Sequence, residues 1–206
     1  MSSARDEILA RLASAPVAEA APVERVTPPA MPADPEAVIA ARLGQNGGVL
    51  VANADRSDWP DHVDLPTPLA DFEHVYCPDG LALEAPGITR RGAAAQARTV
   101  HDLTPLDLCV LEAGFTVVEN GASWHVPSSS LERAAALLAE HLVILSPRST
   151  LVASLHDAYA RIALRETGFG WFLSGPSKTA DIEQALVLGA HGPRTMHLVL
   201  LDDVRA

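Results

Sequence analysis

Short apolar runs alternate with amphipathic stretches along most of the chain. The apolar runs are typical of buried strands, and they lie at residues 49–52, 106–111, 115–118, 141–145 and 196–201. Apolar residues recur at helical spacing in segments 35–43, 134–140 and 151–166. Asp34 offers a cap before the first of these segments, and Ser128-Ser129-Ser130 offers one before the second. The alternation predicts an α/β fold, with a mostly parallel sheet flanked by helices and ligands beyond the carboxyl ends of its strands.

Residues 170–194, which we call the Gly-Pro segment, combine a strand, a turn and a predicted helix start. Residues 171–173 are an apolar run that Gly175-Pro176 ends, because proline lacks a backbone N–H. Ser177 and Thr179 are helix-capping residue types, and Asp181 and Glu183 would follow in the first turn. The predicted helix ends at Gly189, before the strand at 196–201, and its apolar face comprises Ile182, Leu186 and Val187. The pattern predicts a βαβ unit.

The turn into this helix would present backbone N–H groups, hydroxyls and Lys178 to an anion. Alternatively, Ser177 or Thr179 only caps the helix and Lys178 points into solvent. The spaced glycines of a phosphate loop are absent. In a simple βαβ unit residues 191–194 lie at the opposite sheet edge from 174–179. The two motifs therefore form separate sites, unless an irregular chain path or a second subunit brings them together.

The motifs SGPSKTADIE (174–183) and LGAHGPR (188–194) resemble the lactate utilisation protein C family, whose members carry a LUD domain. Weaker similarity covers residues 111–121 and 140–145. The chain departs from the usual family pattern at Ala113 and Phe115, where threonine is common, and at Ala139, where proline is common.

The resemblance implies a NagB/RpiA/CoA-transferase-like fold and a subunit of a lactate-to-pyruvate oxidation system. Iron–sulfur clusters would then belong to a separate partner protein, acting with an oxidoreductase subunit. Glu112 and His191 are the candidate catalytic residues; alternatively, Glu112 is only an exposed charge at a strand end. The candidate residues for binding a small organic anion are Ser174, Gly175, Ser177, Lys178, Thr179, Asp181, Gly192 and Arg194.

The sequence is also compatible with two other functions. One is a stand-alone α/β enzyme acting on a phosphorylated, folate-like or CoA-linked anion, with Glu112 or His191 in general acid–base catalysis. The other is a module that binds a metabolite without chemistry.

Charge and composition limit the classes of partner, cofactor and metal that the protein can bind. The formal net charge of −11 over 206 residues argues against nucleic acid or an anionic membrane surface as the main partner and fits a cytoplasmic protein. The two cysteines, Cys77 and Cys109, are expected to be buried and reduced, and they are too few for an iron–sulfur cluster. No cofactor of its own is expected. His62 and His74 lie near several aspartates but match no metal-ligand spacing, so no metal site is predicted.

The chain divides into three parts: an amphipathic helix at 1–14, a Pro/Ala-rich linker at 15–34 and a LUD-like α/β domain at 35–206. Charges interrupt the apolar stretch of the first part, so a signal peptide is not expected. No run reaches the ~18 apolar residues of a transmembrane helix. The helix is expected to pack on its own domain or on the second copy of a homodimer.

Overall fold

The computed structural model describes residues 3–14, 27–82, 89–163, 168–182, 185–189 and 191–202. Its helices are α1 (Ala4–Ser14), α2 (Pro35–Gln45), α3 (Trp59–His62), α4 (Asp79–Ala82), α5 (Ala93–Gln96), α6 (Ser130–Leu138) and α7 (Leu155–Arg161). Its strands are β1 (Val49–Ala54), β2 (Val75–Tyr76), β3 (Leu108–Glu112), β4 (Phe115–Val117), β5 (Ala122–His125), β6 (His141–Pro147), β7 (Trp171–Leu173), β8 (Lys178–Ile182), β9 (Ala185–Leu188) and β10 (Thr195–Leu201). Short 3-10 helices cover Leu69–Asp71, Val100–Leu103 and Arg148–Thr150. Of the predicted linker, residues 15–26 lie outside the described residues.

The central sheet has five parallel strands in the order β1-β10-β6-β3-β2. Successive side chains along a strand point to opposite faces. On β6, Leu142 and Ile144 therefore join the core on one face, while Val143 and Leu145 join the core on the other. The predicted α/β architecture with a mostly parallel sheet is confirmed.

Helices α2 and α6 cover one face of this sheet, and both begin where the sequence predicts. Asp34 caps α2 by accepting a hydrogen bond of 3.0 Å from the Ala37 N–H. Ser129 caps α6 through the Glu132 N–H at 3.1 Å. On the other face, Trp59 is fully buried and anchors the acidic segment that follows β1.

A second sheet, with the order β4-β5-β7, is antiparallel. A chain of buried hydroxyls joins it to the central sheet, because Thr116 Oγ1 lies 2.9 Å from both Ser123 Oγ and Ser146 Oγ. The prediction that β7 begins a βαβ unit of the parallel sheet is wrong, since β7 pairs with β5.

The helix predicted over 151–166 is shorter than expected. It begins at Leu155 because Val152 forms a bridge with Val117 and Ser154 caps the helix in a reciprocal pair with Asp157. Residues 164–167 lie outside the described residues.

The helix predicted after Ser177 is wrong. Residues 178–182 and 185–188 form an antiparallel hairpin, β8-β9, with Lys178 opposite Leu188. Glu183 lies outside the described residues.

Candidate functional site

A cleft of about 700 Å³ opens at the carboxyl edge of the central sheet. Glu112, the last residue of β3, lies at its floor, and the segment after β2 contributes Pro78. Strands β4 and β5 supply a wall that includes Phe115 and Trp124. Ligands of open parallel sheets bind outside the carboxyl ends of strands, which makes this cleft the candidate site.

Glu112 is fixed by a two-pronged ion pair with Arg56. The guanidinium donates from Nη2 to Oε1 at 2.7 Å and from Nη1 to Oε2 at 3.1 Å. Parallel hydrogen bonds of this kind fix direction as well as distance. The Glu112 side chain is 37% exposed, so its carboxylate stays reachable from the cleft while its orientation is set by Arg56.

His125, at the end of β5, is buried behind Glu112. Its Nδ1 lies 2.8 Å from the Glu112 carbonyl oxygen, and a carbonyl only accepts, so Nδ1 carries a proton. Its Nε2 lies 3.0 Å from Oε1 of Glu132, an ion-pair distance without the alignment of a hydrogen bond. The side chains of His125 and Glu132 are 5% and 4% exposed, respectively. The lining of the cleft therefore includes a largely buried imidazole–carboxylate pair.

Glu132 is held as a carboxylate. Burial by itself raises the pKa of Glu132. Contacts with His125 and Ser128 lower the pKa by more than burial raises it, so the pKa of Glu132 lies below its ordinary value. The Ser128 N–H donates to Oε2 at 3.1 Å, and the Ser128 hydroxyl donates to the same oxygen. Ser129 caps the start of α6, which places Glu132, three residues later, in the first turn of that helix.

Aromatic side chains stiffen the wall of the cleft. The Phe115 and Trp124 rings stack with centroids 6.2 Å apart, and Phe172 of β7 lies 4.9 Å from Trp124. Arg161, the last residue of α7, is exposed and lines the cleft. Within the described residues its guanidinium has no carboxylate partner. The cleft thus offers a cation on an apolar, aromatic wall.

Residues 174–178 and 191–194 of the Gly-Pro segment lie at the opposite, amino edge of the central sheet. Arg194 directly precedes β10, whose first residue, Thr195, pairs with His141 at the start of β6. Glu112 pairs with Leu145, four residues further along β6, which corresponds to about 13 Å along the strand. Glu112 and His191, both predicted as catalytic, therefore stand at opposite sheet edges.

The two motifs of the Gly-Pro segment do meet, through an irregular chain path rather than a βαβ unit. The Ser177 N–H donates to the Pro193 carbonyl at 2.8 Å, and the Ser177 hydroxyl donates to the His191 carbonyl at 3.2 Å. Gly192 packs so closely that a Cβ at that position would lie 2.8 Å from the Cβ of Ser177. These contacts form the base of the β8-β9 hairpin.

Several donors of the predicted anion site bind other parts of the protein. Ser174 Oγ accepts from Asn46 Nδ2 at 2.9 Å and donates to the Asn120 carbonyl at 3.2 Å. Lys178 Nζ donates to the Gln45 carbonyl at 3.3 Å.

Two other residues of the predicted anion site also contact the protein itself. The Gly175 N–H faces the Met196 sulfur at 2.9 Å, and Arg194 pairs with Glu140 at 2.5 Å. The side chains of Thr179 and Asp181 lie outside the described part of the structure. A role of this segment in binding stays a prediction.

The remaining candidate groups have structural contacts. Arg90 stacks on Tyr76 and donates to the Cys77 carbonyl at 2.7 Å. Cys77 and Cys109 are free and buried, and burial raises the pKa of both thiols. Among the residues described, no cluster of His, Cys, Asp or Glu could hold a metal ion. None of the described helices is long and apolar enough to cross a membrane.

Sequence reasoning missed His125, Glu132 and Arg161, which line the cleft. It also missed Arg56, which orients Glu112. A histidine at the end of an apolar strand, seven residues before a glutamate in the first turn of a capped helix, was the available signal for the buried pair.

Fold and cleft together define an α/β protein with a parallel sheet and a ligand-sized site at its carboxyl edge. The chain belongs to the LUD domain family, whose model matches residues 69–201. The structure is similar to the crystal structure of a DUF162 family protein from Deinococcus radiodurans, with a TM-score of 0.58 at 14% identity over 84% of this chain and 99% of that one.

Curated relatives agree with this family. The chain is 32% identical to lactate utilization protein C of Shouchella clausii over 130 residues, covering 60% of this chain and 56% of the relative. It is 29% identical to the protein of that name from Halalkalibacterium halodurans over 52% of this chain and 49% of the relative. The relative from Anoxybacillus flavithermus is 30% identical over 80% of this chain and 67% of its own length. The chain spans about half the length of the first two.

Proposed function

We propose that this chain is a cytoplasmic subunit of a lactate utilisation system and binds a small organic anion in the cleft at the carboxyl edge of its sheet. Relatives named lactate utilization protein C support the system. A chain with two cysteines lacks the four ligands that an iron–sulfur cluster normally takes. Oxidation of lactate to pyruvate therefore needs redox centres from separate iron–sulfur and oxidoreductase proteins.

The observation that carries anion binding is Arg161 on the cleft wall. Its guanidinium is exposed, lines the cleft and has no carboxylate partner within the described residues. A guanidinium matches the planar, two-oxygen geometry of a carboxylate. Glu112 lies on the floor of the same cleft with its carboxylate oriented by Arg56, where it can accept a hydrogen bond from a hydroxyl of the bound acid.

Thermal unfolding of the purified chain tests where the anion binds. Lactate, pyruvate, phosphate, nucleotides, folates and CoA compounds are titrated against the wild type, Arg161→Ala and Lys178→Ala. A ligand at ~100 times its dissociation constant adds about 2.7 kcal/mol, or several degrees at this size. We expect stabilisation to be lost in Arg161→Ala and kept in Lys178→Ala. The reverse result would move the site to the Gly-Pro segment, and no stabilisation by any ligand would remove anion binding.

The system-level role needs a test in cells. A strain that lacks the gene should lose lactate-dependent oxygen uptake but keep uptake on another carbon source. A tagged, full-length chain should co-purify with an iron–sulfur protein and an oxidoreductase. Undiminished lactate respiration in the deletion strain would contradict the proposal.

A second candidate function is favoured by the size of the cleft. A volume of about 700 Å³ falls in the range of sites that hold drug-sized ligands and far exceeds a three-carbon acid. The Phe115–Trp124 wall would suit a planar ring system. The chain would then be a stand-alone enzyme or a binding module for a phosphorylated, folate-like or CoA-linked anion. Turnover of such a compound by the isolated chain distinguishes the enzyme from the module, and stabilisation by lactate or pyruvate alone argues against both.

A further inference from the structure

An apolar groove lies beside α6, on the side of that helix away from the cleft. We call it the α6 groove and define it by Val100, Ala134, Leu137, Leu138, Phe169 and Trp171. Its volume is about 550 Å³. Leu137 and Leu138 are each 47% exposed, and Phe169 is 42% exposed. Three large apolar side chains this close together are an exposed patch of the kind that marks an interaction site.

Helix α1 has an apolar side that no other described residue covers. Ile8, Leu9 and Leu12 are 59%, 48% and 66% exposed, and none of its residues is buried. A helix of 11 residues is marginal in water without tertiary contacts. Its stability therefore depends on a surface against which these side chains can pack.

The charges of helix and groove are complementary, and the spacing of the apolar residues of α1 suits binding in a groove. The helix is about 16 Å long, at 1.5 Å per residue, and amphipathic helices bind apolar grooves through residues spaced like Ile8 and Leu12. Arg133 stands at the groove, with its guanidinium 5.1 Å from the Phe169 ring centre. The first turn of α1 carries Asp6 and Glu7, opposite in sign to Arg133.

We propose that α1 of one copy packs into the α6 groove of a second copy, and that the exchange is mutual. Within the part of the chain that the structure describes, helix and groove are both exposed, and reciprocal exchange covers two helices and two grooves in one closed, two-fold arrangement. The segment 15–34 can span up to about 66 Å when extended, which is enough to reach a neighbouring subunit. This dimer is independent of the function proposed for the cleft.

Sedimentation of the full-length chain provides the first test. We expect a dimer for the wild type and monomers for Leu12→Asp and Leu138→Asp, which place a charge on the helix and in the groove. Met31→Asp is the matched control, because Met31 is 47% exposed outside both surfaces, and it should stay dimeric. A wild type that is monomeric at all concentrations, or a dimer that survives Leu12→Asp, overturns the proposal.

Disulfide trapping identifies which groove the helix occupies. Leu12→Cys and Leu138→Cys are made in separate chains, mixed and oxidised; the native cysteines are buried and do not compete. A covalent heterodimer formed in the mixture, and absent from either variant alone, supports exchange. If instead the double variant joins the two positions within one chain, α1 packs on its own groove and the second-copy proposal is wrong.

Discussion

Replacing Glu132 by glutamine tests whether the buried His125–Glu132 pair stabilises the cleft. Glutamine keeps the shape of the side chain but loses the charge opposite the imidazole and exchanges one acceptor for a donor group. The Ser128 N–H and hydroxyl both donate to one carboxylate oxygen, and an amide oxygen can accept both, so the NH2 group takes the place of the oxygen that faces His125. We therefore expect the loss of stability to come from the changed contact with His125.

The magnitude follows from the burial of the pair, whose side chains are 5% and 4% exposed. Losing a buried polar interaction of this kind costs about 1–3 kcal/mol. For a domain of this size 1 kcal/mol shifts Tm by roughly 2–4 °C, so the expected decrease is roughly 2–12 °C. Circular dichroism during thermal and urea unfolding at neutral pH measures it.

The effect should also depend on pH with a definite sign. Because the pKa of Glu132 is lowered on folding, its contribution is fully present above the unfolded pKa of about 4.3. It is lost as pH falls through the folded pKa. The stability difference between wild type and Glu132→Gln should therefore be constant near neutral pH and shrink below pH ~4.

Glu140→Gln is the matched control, because Glu140 pairs with Arg194 at the surface, where the side chains are 45% and 66% exposed. Exposed pairs of this kind contribute at most about 1 kcal/mol. Equal losses of stability in Glu132→Gln and Glu140→Gln would refute the assignment of a stabilising buried pair.

Three further outcomes follow from the structure. Gly175→Ala should destabilise by about 1–3 kcal/mol, since φ is +92° and the new Cβ would lie 2.7 Å from the Asn46 carbonyl oxygen; Gly44→Ala in α2, where the new Cβ meets nothing within 4 Å, should instead be neutral or stabilising in urea unfolding. Ile144→Ala, at a fully buried position of β6, should cost about 2–5 kcal/mol by the same measurement, and a loss below 1 kcal/mol would contradict the packed core. Cys77 and Cys109 should resist a thiol reagent in the native protein and react only after unfolding, because both are buried with raised pKa values; fast native labelling would show that the core opens.

The parallel sheet could be predicted because its strands are buried on both faces. Such strands read as continuous apolar runs, and residues 141–145 and 196–201 have this form without ambiguity. The helix caps Asp34 and Ser129 could also be identified from the sequence, since a capping side chain binds a backbone N–H within three residues of its own position.

The hairpin was misread because residues 177–181 by themselves favour a helix, while the residues that bind them lie further along the chain. Ser177 and Asp181 are typical of a helix start, but the hairpin is fixed at its base by the Pro193 carbonyl, which accepts from the Ser177 N–H. Pairing of this kind overrides propensity and cannot be predicted from residues 177–181 alone.

The cleft was only partly predictable for a similar reason. Glu112 was identified as a strand-end residue, and it does line the cleft. Its partner Arg56 follows β1, an edge strand that lies three positions away from β3 in the central sheet. His125 and Glu132 come together only because β5 ends beside the first turn of α6. The seven-residue spacing of His125 and Glu132 is a weak signal, because it does not specify how β5 and α6 pack, and nothing near Glu112 in the sequence indicates Arg56.

The position of β10 has a consequence for how the protein is made. This strand lies between β1 and β6 and hydrogen-bonds to both, yet it follows them in the chain. While the nascent chain emerges from the ribosome, β1 and β6 present unpaired edges that are prone to association with other chains. The central sheet closes only when β10 has been synthesised, a long-range step that is slow by its topology. Premature termination before Thr195 would thus release a fragment with open sheet edges, for quality-control proteases to remove.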